Sequence, residues 1–145
     1  REYDKWQAYG QSKTANVLFS VGLNERLASR GVTANAVHPG MIMTELGRHL
    51  VPADIEMLQA RSSDMGSDME SAFKSIPAGA ATSIWACTSP DLDGQGGLYL
   101  EDCHIAGAVS EDNPAGGVSD YARDPGAAQR LWELSEQLVG ERFAP

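Results

Sequence analysis

The feature that most constrains this chain is a long helix that turns tightly into a short strand of buried type. From Tyr9 to Arg30 no proline interrupts the sequence, and Gly31 stands where a left-handed residue closes a last turn. Val32-Thr33-Ala34-Asn35-Ala36-Val37 follows at once, small and β-branched, and stops at Pro39-Gly40. Parallel strands need a crossover connection, usually a helix, so helix, turn and buried strand make the second half of a βαβ unit. Its first strand is expected before residue 1. The opening residues lead straight into a helical pattern, with no starting methionine, and point to a chain cut from something longer.

The long helix has two distinct faces. At 3.6 residues per turn, Tyr9, Lys13, Asn16 and Ser20 fall on one stripe, and Val17, Val21 and Ala28 on an apolar one beside it. A polar stripe next to a buried one suggests a site. Further on, Thr44 is placed to cap a short helix through about Leu50, and 51–76, with scattered methionines and acidic residues, reads as a mobile segment. Ser75 and Pro77 open a small-residue helix that Ser89-Pro90 ends. Gly94-Gln95-Gly96-Gly97 is a turn before the strand Leu98-Tyr99-Leu100, which gives a second strand–helix pair. Residues 107–120 read as loop, and Asp124-Pro125 opens a last helix with Leu131, Leu134, Leu138 and Val139 on one side. No internal repeat and no second domain is visible, so 1–145 is expected to be one partial domain.

Composition narrows the function classes. The net charge of −9 repels phosphate and argues against nucleic acid or an anionic membrane as partner. Cys87 and Cys103 lack the paired spacing of a zinc site or a disulfide framework. No run approaches the roughly 18 apolar residues of a membrane span, and the first residues do not read as a signal peptide, so the expected compartment is cytoplasmic.

Tyr9-Gly10-Gln11-Ser12-Lys13 sets a phenol and an ammonium four residues apart, on one face of the helix. A free tyrosine ionises near ~10, and a neighbouring cation favours the phenolate. Such a phenol can serve as a general acid/base, giving its proton to a carbonyl oxygen in reduction or taking it from an alcohol in oxidation. Lysine donors can in addition reach ribose hydroxyls. Alone, the pair is most often two solvated neighbours on a helix surface; the surrounding sequence sets it apart.

The run from Tyr9 to Phe19 resembles the active-site helix of the short-chain dehydrogenases/reductases, especially the retinol-dehydrogenase-like and WW-domain-oxidoreductase-like branch. Gly31 to Gly40 resembles the strand and proline-glycine turn that follow, and Thr44-Glu45-Leu46 the threonine placed over the nicotinamide. Gly79 to Trp85, Gly97 to Asp102 and Leu131 to Ser135 resemble the family's next helix, last strand and C-terminal helix. The resemblance covers nearly the whole chain. It implies an α/β fold, the C-terminal half of a Rossmann-type doubly wound parallel sheet, contributing the last two strands and their flanking helices. It implies an oxidoreductase that moves hydride between NAD(P) and a carbonyl or alcohol. Tyr9 would be the acid/base, and Lys13 would lower its pKa and hold the nicotinamide ribose. Pro39, Gly40, Ile42 and Thr44 would contact the nicotinamide end; for Thr44 a plain N-cap role explains the residue equally well. His38 has no family role and reads as a structural turn residue, while Ser12 is expected to bond its own helix. NADP and NAD both stay open, with a lean to NADP.

The same resemblance makes 51–76 the substrate lid. Leu50, Ile55, Met57, Leu58, Met65 and Met69 would suit a lipophilic carbonyl or alcohol, or would belong to an amphipathic helix packed on the core instead. It also implies a homo-oligomer in the full-length protein, through a four-helix contact made by the Tyr9 helix. The family's glycine-rich phosphate loop follows a strand and opens a helix, whereas Gly94-Gln95-Gly96-Gly97 precedes a strand. The catalytic serine would precede Arg1. The 145 residues alone are therefore expected to be inactive, either as part of a working enzyme or as a non-catalytic remnant that serves as a dimerisation or interaction module.

Overall fold

The computed structural model describes residues 2–64, 73–110 and 116–143. Helix α1 spans Lys5–Leu27 and begins a turn earlier than the sequence pattern suggests, because Asp4 caps it: the Gln7 N–H donates to Asp4 Oδ1 at 2.7 Å. A short 3-10 turn, Ala28–Arg30, closes it, with Gly31 left-handed at φ +73°. The strand that follows, β1, pairs only over Ala36–His38. Ahead of it, side chains hold the chain: Asn24 Oδ1 accepts from the Ala34 N–H at 3.3 Å, and Asn35 Oδ1 from the Leu98 N–H at 3.0 Å.

Next come β2 (Met41–Ile42) and, where a short helix was expected, a short 3-10 helix, Glu45–His49. Helix α2 (Pro52–Asp64) occupies much of the stretch read from sequence as a mobile segment. Pro52 suits its first turn, and the Val51 N–H donates to Asp54 Oδ2 at 2.9 Å. After β3 (Phe73–Lys74), helix α3 (Ile76–Thr88) starts on the Ser75 cap as expected. The strand β4 (Tyr99–Glu101) turns through Asp102-Cys103 into β5 (His104–Ile105). Helix α4 (Pro125–Val139) is capped by Asp124, which accepts from the Ala127 N–H at 2.6 Å.

The result is an α/β fold with a small mixed sheet in the order β1-β4-β5. β1 and β4 run parallel, Ala36 opposite Tyr99 and His38 opposite Glu101, while β5 returns antiparallel. A separate parallel pair joins β2 to β3, with Ile42 opposite Lys74. Neither β5 nor this second pair was visible in the sequence. The hairpin turn uses Asp102 and Cys103 at φ +47° and +58° instead of the glycine that signals such turns. Within the segment read as loop, Ala108 and Val118 form an isolated parallel bridge.

One face of β1 and β4 carries Ala36 and Tyr99, which pack on Val17, Ala106, Val118 and Ala122. On the other face Leu100 is fully buried, as is Thr82 of α3. Helix α1 rests on α4 where Gly22 meets Ala128, and Phe19 stacks on Trp132 with ring centroids 5.7 Å apart. Val17 and Val21 are buried as the apolar stripe requires; Ala28 is exposed, because it lies past the end of the regular helix. Of the apolar side of α4, Leu134, Leu138 and Val139 remain exposed, since Ala128 and Trp132 supply the contact to α1. Among the described residues no helix is long and apolar enough to cross a membrane.

Candidate active site

An open cleft of about 830 Å³ lies between α1 and the carboxyl end of β1. Helical periodicity delivers one wall of it: Tyr9, Lys13, Asn16 and Ser20, the polar stripe, all line it, with Val17 beneath. The strand ends in its floor, where Pro39, Gly40, Ile42 and Thr44 line the same space. The six residues singled out from the sequence are thus brought together, although 26 positions separate Lys13 from Pro39 in the chain.

Tyr9 is half exposed, and the Lys13 ammonium stands 5.3 Å from its ring centroid, a cation on an aromatic face one helical turn away. The Ser12 hydroxyl donates to the Tyr9 carbonyl at 2.7 Å, so it serves its own helix, as expected. Thr44 lines the cleft and also precedes the 3-10 turn, its carbonyl accepting from the Gly47 N–H at 3.1 Å. Gly40 is left-handed at φ +85°, and a Cβ there would lie 2.8 Å from Lys74 Cδ and Cε. Only glycine fits that turn without displacing a neighbour.

Several cleft residues escaped the sequence reading. Tyr99 lines it from β4, half buried; burial, then the Glu101 carboxylate and then Tyr9 push its phenol above the ordinary tyrosine value. His38, set aside above as a structural turn residue, lines the cleft too and stacks on Tyr99 with centroids 6.3 Å apart. Val109, Val118 and Tyr121 form the opposite wall. A period-two argument along β4 could have put Tyr99 and Glu101 on one face, but which face meets α1 depends on pairing with β1. Glu101 is buried and accepts the Gly117 N–H at 2.7 Å, which ties the wall carrying Val118 to the end of β4.

The expected lid is joined to α1 next to this site. Lys5 Nζ lies 2.5 Å from Asp54 Oδ1, one turn before Tyr9, and that contact, with the Val51 N–H, holds the Asp54 carboxyl below the usual range. Leu50 and Ile55 are partly exposed, Met57 and Leu58 half buried. Met65 and Met69 lie outside the described residues.

Comparison with known proteins bears on what this cleft belongs to. A family described as short chain dehydrogenase matches residues 1–54, the span that holds Tyr9, Lys13 and the Pro39–Thr44 segment. A Streptomyces lividans protein named "Probable oxidoreductase" is 47% identical over 143 residues, covering 96% of this chain and 47% of that protein. The Penicillium roqueforti "Short-chain dehydrogenase/reductase prx1" is 37% identical, over 95% of this chain and 39% of its own length. "Retinol dehydrogenase 14" of Mus musculus is 36% identical, over 97% and 37% respectively. A crystal structure of a Mycobacterium paratuberculosis protein aligns with 99% of this chain and 42% of its own at 28% identity, with a TM-score of 0.49. The chain spans about half the length, or less, of the curated relatives it matches. With identity sustained from one end of the chain to the other, and a family match across the helix and turn that build the cleft, the chain belongs to the short-chain dehydrogenases/reductases.

Proposed function

We propose that this chain is the C-terminal half of an NAD(P)-dependent dehydrogenase/reductase domain, in which Tyr9 transfers the proton between a substrate oxygen and the protein. The observation that carries this reading is the meeting of Tyr9 and Lys13 with Pro39, Gly40, Ile42 and Thr44 in one cleft at the carboxyl end of a parallel strand, the place where open α/β sheets bind their ligands. In this reading β1 and β4 are the last two parallel strands of a doubly wound sheet.

The residues suit a nicotinamide nucleotide. Gly40 takes the left-handed turn that brings its backbone to the cleft, and Lys13 offers ammonium donors in the same cleft for ribose hydroxyls. Bound there, the cofactor would supply or accept the hydride. Tyr9 donates its hydroxyl proton to the carbonyl oxygen in reduction and recovers it from the alcohol in oxidation. Lys13 stabilises the phenolate left when that proton has gone and holds the nucleotide against α1. Pro39, Gly40, Ile42 and Thr44 keep the nicotinamide end in register with Tyr9, with NADP favoured over NAD. The segment 51–76 covers the site as a lid for a lipophilic carbonyl or alcohol, and the complete protein works as a homo-oligomer. The 145 residues alone are inactive in this reading, because among the described residues no glycine-rich turn follows a strand and opens a helix.

The test is Tyr9→Phe in the complete protein, assayed by nucleotide oxidation with NADPH and a lipophilic aldehyde. Loss of the general acid should lower kcat by about 10²–10⁴-fold. Turnover that survives the substitution would remove Tyr9 from the chemistry.

A further inference from the structure

The space under Gly40 is filled by a side chain that does not itself line the cleft. A Cβ at Gly40 would lie 2.8 Å from both Cδ and Cε of Lys74 and 2.9 Å from its Nζ, so the Lys74 stem runs directly beneath the turn. Two anchors hold that stem. Its backbone is fixed in the parallel pair of β2 and β3, where Lys74 stands opposite Ile42, two residues after Gly40. Its ammonium is paired with the Asp102 carboxylate at the far end of β4. Asp102 is in turn immobilised in the left-handed hairpin turn, where the Cys103 N–H donates to the Thr82 hydroxyl at 3.2 Å and Thr82 is fully buried in α3. A continuous line of contacts thus runs from the buried side of α3, through the end of β4, to the floor of the cleft.

We propose that Lys74, held by Asp102, is a positioning residue that sets the height of the Pro39-Gly40 turn against the nicotinamide. This rests on the cofactor reading above and adds to it a residue that touches neither cofactor nor substrate. An isolated pair at the surface would do little, but here the Lys74 stem is held against the Gly40 turn, within 2.8–2.9 Å of where a Cβ would stand. Asp102 is held below the usual carboxylate range, first by its bond from Lys74, so its carboxyl stays ionised throughout the neutral range.

The experiment compares Lys74→Met, Asp102→Asn, the double variant and Lys74→Arg in the complete protein, with KM for NADPH and for the aldehyde, kcat, and the Gly40 amide resonance of the nucleotide-free protein. Lys74→Met and Asp102→Asn are each expected to raise the nucleotide KM about 2- to 5-fold, as loss of one partly exposed ion pair would, and to shift the Gly40 resonance. The aldehyde KM should stay unchanged. The double variant should be no worse than either single one, and Lys74→Arg, which keeps the cation, should leave the nucleotide KM close to that of the parent. An unchanged nucleotide KM, or single effects that multiply in the double variant, would overturn the proposal. If Tyr9→Phe keeps its activity while these variants still raise the nucleotide KM, the proton-transfer reading falls and the strut stands.

Discussion

Gly79→Ala sets two effects of known size against each other. Gly79 is buried in the second turn of α3, and alanine in a helix interior is favoured over glycine by about 0.8–1 kcal/mol. Against that gain stands Ile42. A Cβ at position 79 would lie 2.8 Å from Ile42 Cδ1 and closer still to Cγ1, whereas carbon atoms settle at about 3.5–4.0 Å. Roughly 1 Å of movement is required. Ile42 has little freedom to supply it, because a β-branched side chain is stiff at χ1 and its backbone is paired to Lys74. Forcing an extra methyl into such a contact costs about 1–3 kcal/mol, so the net effect is a destabilisation of about 1 kcal/mol. In an Ile42→Ala background the obstacle is gone, and the same substitution should stabilise by about 0.8–1 kcal/mol. The assay is urea denaturation of all four proteins, with m-values compared to establish that the transition itself is unchanged. An inversion of sign between the two backgrounds is the expected result. If Gly79→Ala stabilises equally in both, α3 does not press on Ile42, and the account of how Ile42 is held at the cleft fails.

Two further outcomes follow from the structure. Gly117→Ala combines a left-handed backbone at φ +85° with a Cβ only 2.9 Å from the Ala108 carbonyl and the Val109 nitrogen, so it should destabilise by about 2 kcal/mol or more, with amide exchange faster at Val118 than in α1. Asp54, Asp102 and Glu136 all have folded-state values below the ordinary carboxylate range, Glu136 because it accepts from the Phe143 N–H at 2.8 Å and from the Trp132 indole at 2.9 Å. A depressed value means stability that is present above the unfolded value of about 4 and is lost as the pH falls through the folded one. Glu136→Gln should therefore flatten the decline in denaturation midpoint on acidification below about pH 4, followed by tryptophan fluorescence; an unchanged pH profile would show that the bonds of Glu136 contribute nothing in solution.

What could be read from the sequence was whatever the chain specifies locally. The α1 stripe, the Gly31 closure and the Ser75 and Asp124 caps depend on residues a few positions apart, and each is present in the structure. Local signals also explain the errors. Asp4 is a good cap, but Tyr9 carries the chemical signal and drew the helix start toward it. The 51–76 stretch has weak apolar periodicity, so an amphipathic helix was only one of its two readings, and nothing local fixed the bounds of α2, whose start is held by Pro52, Asp54 and the distant Lys5. The β4–β5 hairpin was invisible because Asp102 and Cys103 occupy positions where glycine or asparagine is the usual signal, and they are kept there by Thr82, twenty residues upstream of Asp102.

The cleft divides along the same line. Tyr9 and Lys13 were legible because one helix places both, and Pro39 to Thr44 because they directly follow a strand that a parallel sheet must bury. Tyr99 and His38 reach the site, and Lys74 the turn behind it, only through register: Tyr99 is opposite Ala36, His38 stacks on Tyr99, and Lys74 is opposite Ile42. Shifting either pairing by one residue would turn these side chains to the other face and leave Tyr9 and Lys13 in place. The proposed Tyr9–Lys13 pair therefore belongs to the most self-sufficient element of the fold, while the shape of the space in front of it is set by two short parallel pairings. Substitutions in β3, β4 and their turns should accordingly change which molecules fit and how tightly the nucleotide sits, and substitutions in α1 should change whether the proton moves at all.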